Sequence, residues 1–354
     1  MLRISAMILA LALVSACGGG GGSNPLQNTE EETDTDTDTG TDTGDDADPI
    51  GGGRTLPPGT ASPTPDTTIV RVEADDGEGA GVATGYDYDE TTDTFYVDNL
   101  AFDGDNTYSR GTAVSSLAPN IAVYESDAPG IDPISGLQHD DAEYRAVYGV
   151  SDTGTTKFAI VRPAGYNDFG FRGYTYEREG SVTLPTDIQA TYIGDYGGVR
   201  VYEGTTGLDY VTGTAVMSVD FNDFNQAPGV SLYVVDRHLY DINGNDVTTE
   251  YLDALMAANT QGVRPTNELG QDNLPDINPV IRIDAADTNG EVTSEVFTLL
   301  ELDNGSTTNL SSGNYYAIMA GDGASEIVGI VVMTGTDPRN STSFEETGGF
   351  IVTR

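Results

Sequence analysis

From about Asp66 to the C-terminus, short runs of β-branched and aromatic residues follow one another, each broken by glycine, asparagine or aspartate. That punctuation belongs to strands and turns rather than helices. Between Asp66 and Glu179 the strand candidates are TIVRVEA, GVATGYDY, DTFYVDNLAF, NIAVYES, AEYRAVYGV, KFAIVRP and GFRGYTYE, with residues 128–141 as a surface loop. The 44 glycines supply turns, and 19 tyrosines and 10 phenylalanines supply bulk in a chain without tryptophan. No disulfide can brace the fold, because Cys17 is the only cysteine. The apolar core has to suffice, and the roughly 290 residues beyond the N-terminal region are enough for one large domain or two small ones.

The second half carries candidate strands at 188–193, 198–202, 212–220, 230–239, 280–283, 292–300, 313–319, 326–333 and 348–353. Several alternate: in DIQATYIG, Ile188, Ala190 and Tyr192 share one face, and Thr191 and Ile193 the other. EVTSEVFTLLELD is long enough for a curved strand. About eight consecutive strands joined by short turns predict an up-and-down antiparallel β-barrel, which leaves no sheet edge exposed; a β-sandwich is the alternative. The expected protein is all-β, with a smaller β-rich domain over 66–179 before a C-terminal eight-stranded barrel over 180–354. One helix interrupts it. NDVTTEYLDALMAAN, residues 245–259, sets Tyr251, Leu252, Leu255 and Met256 at helical spacing, with Asp246 or Thr248 to cap the start. It lies in a long excursion, 241–278, from the barrel rim, and loops of this kind carry function more often than the frame does.

The N-terminus reads MLRISAMILALALVSAC: a basic residue, Arg3, an apolar run from Ile4 to Val14, then Ser15 and Ala16 before Cys17. This is the build of a secretion signal, and V-S-A-C resembles the lipobox of bacterial lipoproteins. The resemblance implies a signal peptide over 1–16, acylation of Cys17 and attachment to a lipid bilayer through multiple acyl chains, as with palmitate. Gly18 stands where retained inner-membrane lipoproteins often carry aspartate, which favours the outer membrane of a Gram-negative bacterium and leaves surface display open. The apolar run falls short of the about 20 residues of a spanning helix; an uncleaved helical anchor is the alternative. Residues 17–65 follow as a tether. Glu30–Asp48 hold ten acids and no base, and glycine and proline flank them, so like charges extend a segment with little apolar surface to bury. Weak divalent-cation binding is the competing use of those aspartates.

Across the chain 57 acids face 15 lysines and arginines, a net charge of −42, and Lys157 is the sole lysine. Such a surface repels nucleic-acid phosphates and anionic lipid heads. A saline habitat accounts for it through screening; a basic partner or cation capture is the sharper reading.

Leu184–Tyr202, LPTDIQATYIGDYGGVRVY, resembles the opening of the C-terminal barrel of transferrin-binding-protein-B-like surface lipoproteins. The matching residues are Leu184, Pro185, Tyr192 and Gly194. They are followed by a strand ending in Asp220 and Phe221, and by GNYYAIMAGDGASEIVGIVV with Gly313, Tyr315, Tyr316, Ala324, Glu326 and Gly329. The resemblance covers about 176–354. It implies a lipidated outer-membrane or surface protein, a barrel preceded by a smaller β domain in a single-lobe form, and capture of a partner, which in well-known members is a host iron protein. The family's partner-binding loops have no match here. Read physically, these residues are structural: Gly194 and Gly329 permit turns or close packing, Tyr315 and Tyr316 point to opposite faces of a strand, so that only one is expected to enter the core, and Glu326 faces the barrel interior or forms a turn contact.

No catalytic motif stands out. His139 and His238 are the only histidines, without the spacing of a zinc site. No G-x-S-x-G nucleophile elbow occurs, and among 57 acids chance carboxylate pairs are uninformative. DINGNDVT alternates Asp241, Asn243 and Asn245 around Gly244 before Asp246, a weak calcium candidate whose twelfth position is Leu252 instead of an acid; an ordinary Asn-Gly turn is the competing reading. This loop, with Phe221 and Phe224 of DFNDFN, forms the candidate ligand loop; for DFNDFN a turn with an exposed aromatic is the competing reading. No other cofactor is expected. The function read from sequence is a non-catalytic binding lipoprotein for a protein or small molecule, not nucleic acid. The alternatives are a structural cell-envelope protein and, more weakly, iron-source or divalent-cation capture.

Overall fold

Strand alternation organises the first half of the chain into one sheet. In the computed structural model the described residues are 55–75, 82–83, 85–98, 100, 107–126, 130–131, 138–139, 143–164, 172–222, 229–281 and 285–354; the signal segment, Cys17, most of the tether and Phe224 lie outside them. The strands are β1 (Ile69–Val72), β2 (Gly85–Asp89), β3 (Thr94–Asp98), β4 (Thr107–Arg110), β5 (Ser116–Ala118), β6 (Ile121–Ser126), β7 (Gly130–Ile131), β8 (Gln138–His139), β9 (Tyr144–Val150), β10 (Thr156–Pro163) and β11 (Gly173–Arg178). The sheet order is β1-β11-β10-β9-β6-β4-β3-β2, with β5 beside β6, while β7 and β8 pair by themselves inside the expected surface loop. The short, polar β4 and β5 carry no strand pattern of their own; the ladders of β3 and β6 impose it. Val82 bridges to Arg172, beside the start of β11, although β2 and β11 stand near opposite ends of the order. The sheet therefore curls, and its inner face buries Phe95, Tyr108, Tyr124, Tyr144 and Tyr148.

The second half closes into the expected antiparallel barrel of eight consecutive strands. These are β12 (Gln189–Tyr202), β13 (Leu208–Asp220), β14 (Gly229–Tyr240), β15 (Ile277–Pro279), β16 (Glu291–Glu301), β17 (Thr307–Ala320), β18 (Glu326–Thr336) and β19 (Ser343–Thr353), and β19 pairs back onto β12. Two expected strands merge in β12. The Gly197–Gly198 pair does not end the strand but lets it pass: a Cβ on Gly198 would lie 2.4 Å from Gly348 Cα. The strand expected at 280–283 sits earlier, at β15, because Ile277 is fully buried while Ile281 is 69% exposed. The helix α1 (Thr248–Ala258) forms without the expected side-chain cap. Val247 holds the cap position, Asp246 accepts the Thr248 N–H at 2.8 Å, and the Thr248 hydroxyl instead accepts the Leu239 N–H at 2.8 Å.

Inside the barrel, Tyr192, Met217, Leu232, Tyr315 and Phe350 form one core with Tyr251, Leu252 and Leu255 of α1 and Leu274 of the same excursion. The long loop thus closes a barrel end instead of standing free. A bulge between β13 and β14, with Asp236 at φ 50°, shifts the inward phase of β14 so that Arg237 follows Val234 into the interior. There the fully buried Glu346 carboxylate accepts from Arg237 at 2.6 and 2.7 Å, from Arg200 at 2.8 Å and from the Tyr196 hydroxyl at 2.7 Å.

Sheet and barrel share a second core. Ile121, Phe158, Ile160 and Tyr176 pack on Val199, Tyr210, Ile318, Val328 and Ile351. Arg71 meets Glu291 at 2.6 Å, Arg172 joins Glu73 at 2.9 Å to Glu345 at 2.7 Å, and buried Arg178 donates to the carbonyls of Thr64, Thr67, Asn289 and Met319. Phe158 is wedged where Cβ atoms on Gly149 and on Gly349 would each approach it to 2.2 Å. Gly349→Ala is expected to lower stability by about 1–3 kcal/mol through overpacking. Gly85→Ala, which meets nothing within 4 Å, should stay within about 0.5 kcal/mol. Urea unfolding midpoints of the two variants test this.

Three of the 15 basic residues, Arg3, Arg54 and Arg282, lie outside the described residues. Each of the other twelve is tied to a carboxylate or a carbonyl; besides the five above, Arg110 binds Asp93, Arg145 Glu125 and Glu143, Lys157 Glu177, Arg162 Glu73 and Glu345, Arg264 Asp253 and Asp272, Arg339 Asp209 and Asp337, and Arg354 the Gly323 carbonyl. The few bases serve the frame, and the described surface is left to acids.

Candidate functional site

The inner face of the curled sheet is not filled throughout. Beyond Phe95 and Tyr124 it opens into a cleft of about 610 Å³, within the usual range of ligand sites. Two rows of the ladder make its floor. In one, Val70 pairs with Glu177, Glu177 with Lys157, and Lys157 with Val150; in the next, Val72 pairs with Thr175, Thr175 with Ala159, and Ala159 with Tyr148. Tyr86 and Tyr88 of β2 curl over as the facing wall, and Asp87 and Glu90 stand at the rim. The sequence GYDYD produces this wall directly, since alternate tyrosines point to one side of a strand and the aspartates to the other.

The three rings cluster: Tyr88 lies 5.2 Å and Tyr86 5.8 Å from Tyr148 between centroids. Asp93, in the β2–β3 turn, accepts from the Tyr88 hydroxyl at 3.0 Å, from Tyr124 at 2.9 Å and from Arg110 at 2.8 Å, which holds the Tyr88 ring in place. Lys157 lies 3.5 Å from Glu177 and 3.8 Å from Glu179. Burial, with Glu177, Tyr88 and Asp87 adding to it, pushes the Tyr148 hydroxyl up to about 12, and burial and Glu177 push Tyr86 well above the usual tyrosine value. Both stay protonated at neutral pH. The Thr175 hydroxyl, on a residue only 7% exposed, and the Tyr86 hydroxyl have no well-formed hydrogen bond among the described residues. Buried polar groups are ordinarily satisfied, so the cleft presents unmet hydrogen-bonding capacity between aromatic walls.

The residues singled out from sequence lie elsewhere. Asp241 accepts from the Asn243 and Asn245 backbone N–H groups at 2.9 and 2.8 Å and from the Asn245 side chain at 2.8 Å, so its carboxylate closes its own turn, with Gly244 at φ 81°. Asp246 faces His238 at 3.6 Å. Among the described residues no cluster of three His, Cys, Asp or Glu side chains suits a metal. Asp241→Ala is expected to cost about 1 kcal/mol equally with calcium and with chelator, read as the shift in thermal midpoint. Phe221 is not an exposed aromatic: it continues the inward phase of Val219 and is 4% exposed. Phe224 and the His139 side chain lie outside the described residues.

The residues that carry the resemblance spread over β12, β13, β17 and β18 and their ends. The Tyr192 hydroxyl donates to the Ala324 carbonyl at 2.6 Å, and Ala324 is buried at φ 54°. Leu184 packs on the barrel core, Pro185 is half-buried beside it, and Asp220 accepts from Gln189 at 3.0 Å. Cβ atoms on Gly194 and Gly313 would strike the carbonyls of Ile351 and Val332 at 2.0 Å, and one on Gly329 would strike Phe350 at 2.4 Å. Tyr315 points into the barrel; Tyr316, on the opposite face, packs on the sheet–barrel core, so both tyrosines find apolar surroundings. Glu326 does not face the interior. It lies outside, 3% exposed, and makes the turn contact that is the other expectation, accepting from the hydroxyl of Thr153 in the β9–β10 turn at 2.8 Å. Its neighbours Ile327 and Val331 take the inward phase.

No protein-family model matches the chain, and no curated protein does. Solved structures do. A double mutant of transferrin-binding protein B from Haemophilus parasuis aligns at 14% identity and TM-score 0.32 over 76% of this chain and 45% of that one. Isotype 1 transferrin-binding protein B from serogroup B Neisseria meningitidis aligns at 12% and 0.29 over 81% and 52%. A mutant of the protein from Actinobacillus pleuropneumoniae aligns at 14% and 0.29 over 82% and 99%. This chain is similar to them, and it spans less than half the length of the first. Among the described residues no helix is long and apolar enough to cross a membrane.

Sequence reading passed over Tyr86, Tyr88, Tyr148, Thr175 and Glu177. The available signals were the Tyr-Asp-Tyr alternation and the sole lysine, but only the sheet pairing sets Lys157 against Glu177 and curls β2 above them.

Proposed function

We propose that this protein is a non-catalytic binding protein, held at the outer membrane through acylated Cys17, with the curled-sheet cleft as its binding site. The division into a β-rich domain over 66–179 and a barrel over 180–354 belongs to the same proposal. The observation that carries it is the cleft itself: aromatic walls, buried hydroxyls without a well-formed hydrogen bond among the described residues and a single lysine, on the face turned away from the barrel. The barrel serves as frame, and its own interior is occupied by side chains and α1. A structural envelope role without a ligand is the competing reading.

Lys157 makes the test direct. As the only lysine it is the one side-chain amine that an acylating reagent can modify, and it lines the cleft with its side chain 27% exposed. The full chain, isolated from its own envelope in mild detergent without chelator, should show slowed acylation at Lys157 and a stoichiometric extra mass in native mass spectrometry. Both should disappear on stripping with high salt. Equal acylation rates before and after stripping, with no extra mass, would leave the envelope role.

A further inference from the structure

We infer that the cleft takes the cationic side chain, arginine or lysine, of an extended segment of a partner protein. The inference rests on reading the cleft as the binding site and adds the chemistry of what enters it. Charge comes first. Lys157 is matched twice, by Glu177 and Glu179, and Asp87 and Glu90 stand at the rim without a comparable base among the described residues. An anion entering here would meet an excess of carboxylates; a cation would meet Glu177 and relieve that excess. Shape agrees with charge. The clustered rings of Tyr86, Tyr88 and Tyr148 offer π surface to a guanidinium or ammonium group. The Thr175 Oγ1 and Tyr86 hydroxyl oxygens, both lacking well-formed hydrogen bonds among the described residues, can accept its N–H groups.

The extended form of the ligand follows from β2. This strand ends the sheet and pairs with β3 alone, so one of its backbone edges is open among the described residues. The Tyr88 N–H on that edge is covered by the Asp87 carboxylate at 2.8 Å, a common way of blunting an edge strand. By strand alternation the Tyr86 N–H and C=O face the same way and stay available among the described residues. A segment adding there would lie across the cleft mouth and send alternate side chains inward, the geometry of strand addition.

The test uses the full chain and three N-acetylated probes: an extended peptide with a central arginine, the same peptide with the isosteric, neutral citrulline, and the single residue acetyl-arginine amide. Protection of Lys157 from acylation is the readout. The arginine peptide should protect saturably, with at least tenfold weaker protection from the citrulline peptide and from the single residue. Glu177→Gln should weaken the arginine peptide at least tenfold while its unfolding midpoint stays near wild type. Equal protection by the citrulline peptide overturns the cationic assignment, and equal protection by acetyl-arginine amide overturns the extended segment. If the envelope-derived ligand protects Lys157 and the arginine peptide does not, this inference fails while the cleft remains the binding site. If neither protects, both fail.

Discussion

Glu346→Ala is expected to destabilise the protein by about 3–5 kcal/mol, the usual cost of removing one partner from a buried ion pair. Glu346 is fully buried and answers two arginines at once, Arg200 and Arg237, inside the barrel. Without it two guanidinium charges remain in the interior: Arg200 lies over Phe344 at 4.4 Å and over Tyr251 at 5.2 Å, and Arg237 donates to the Pro275 carbonyl at 2.6 Å. Burial alone would raise the Glu346 carboxyl; Arg237 and Arg200 outweigh it and hold it at about 2, against an ordinary 4.5. A depressed carboxyl contributes stability that is complete above pH 4.5 and lost as pH falls through about 2. Urea unfolding of wild type and Glu346→Gln should therefore give midpoints well apart at pH 7 that converge between pH 4.5 and 2. A constant separation across that range would show that the charge of Glu346 is not what the cluster depends on.

Leu252→Ala is expected to cost about 2–5 kcal/mol, the range for a buried leucine whose cavity cannot fully collapse. Leu252 is fully buried in the barrel core together with Tyr251 and Leu255. Leu269→Ala in the same excursion, where the side chain is 82% exposed, should stay within about 0.5 kcal/mol. Guanidinium unfolding of the pair separates a plug from a free recognition loop. Matching midpoints would return the excursion before β15 to the surface role its length invites, and shortening it while keeping β15 (Ile277–Pro279) would then leave the barrel stable. The plug reading predicts an exposed core and aggregation instead.

The frame was legible because alternation is a local property. A residue's face in a strand depends on its neighbours in sequence, so Tyr192, Met217, Leu232, Tyr315 and Phe350 could be read as one side of their strands, and consecutive strands with short turns close most simply into a barrel. The stripe of Tyr251, Leu252 and Leu255 announced a helix on the same ground. What could not be read locally was decided by pairing across long separations. The bulge opposite Thr212 and Thr214 is what turns Arg237 inward to meet Glu346, 109 residues away. The position of β15 followed from the burial of Ile277, and the outward turn of Glu326 from its contact with Thr153, 173 residues earlier. The cleft belongs to this second kind. Composition and pattern determined an acidic, glycine-rich, all-β chain; only the curling of the sheet carried Tyr86 and Tyr88 over Lys157, Glu177 and Thr175, because a site made of side chains from five strands exists only once those strands are paired.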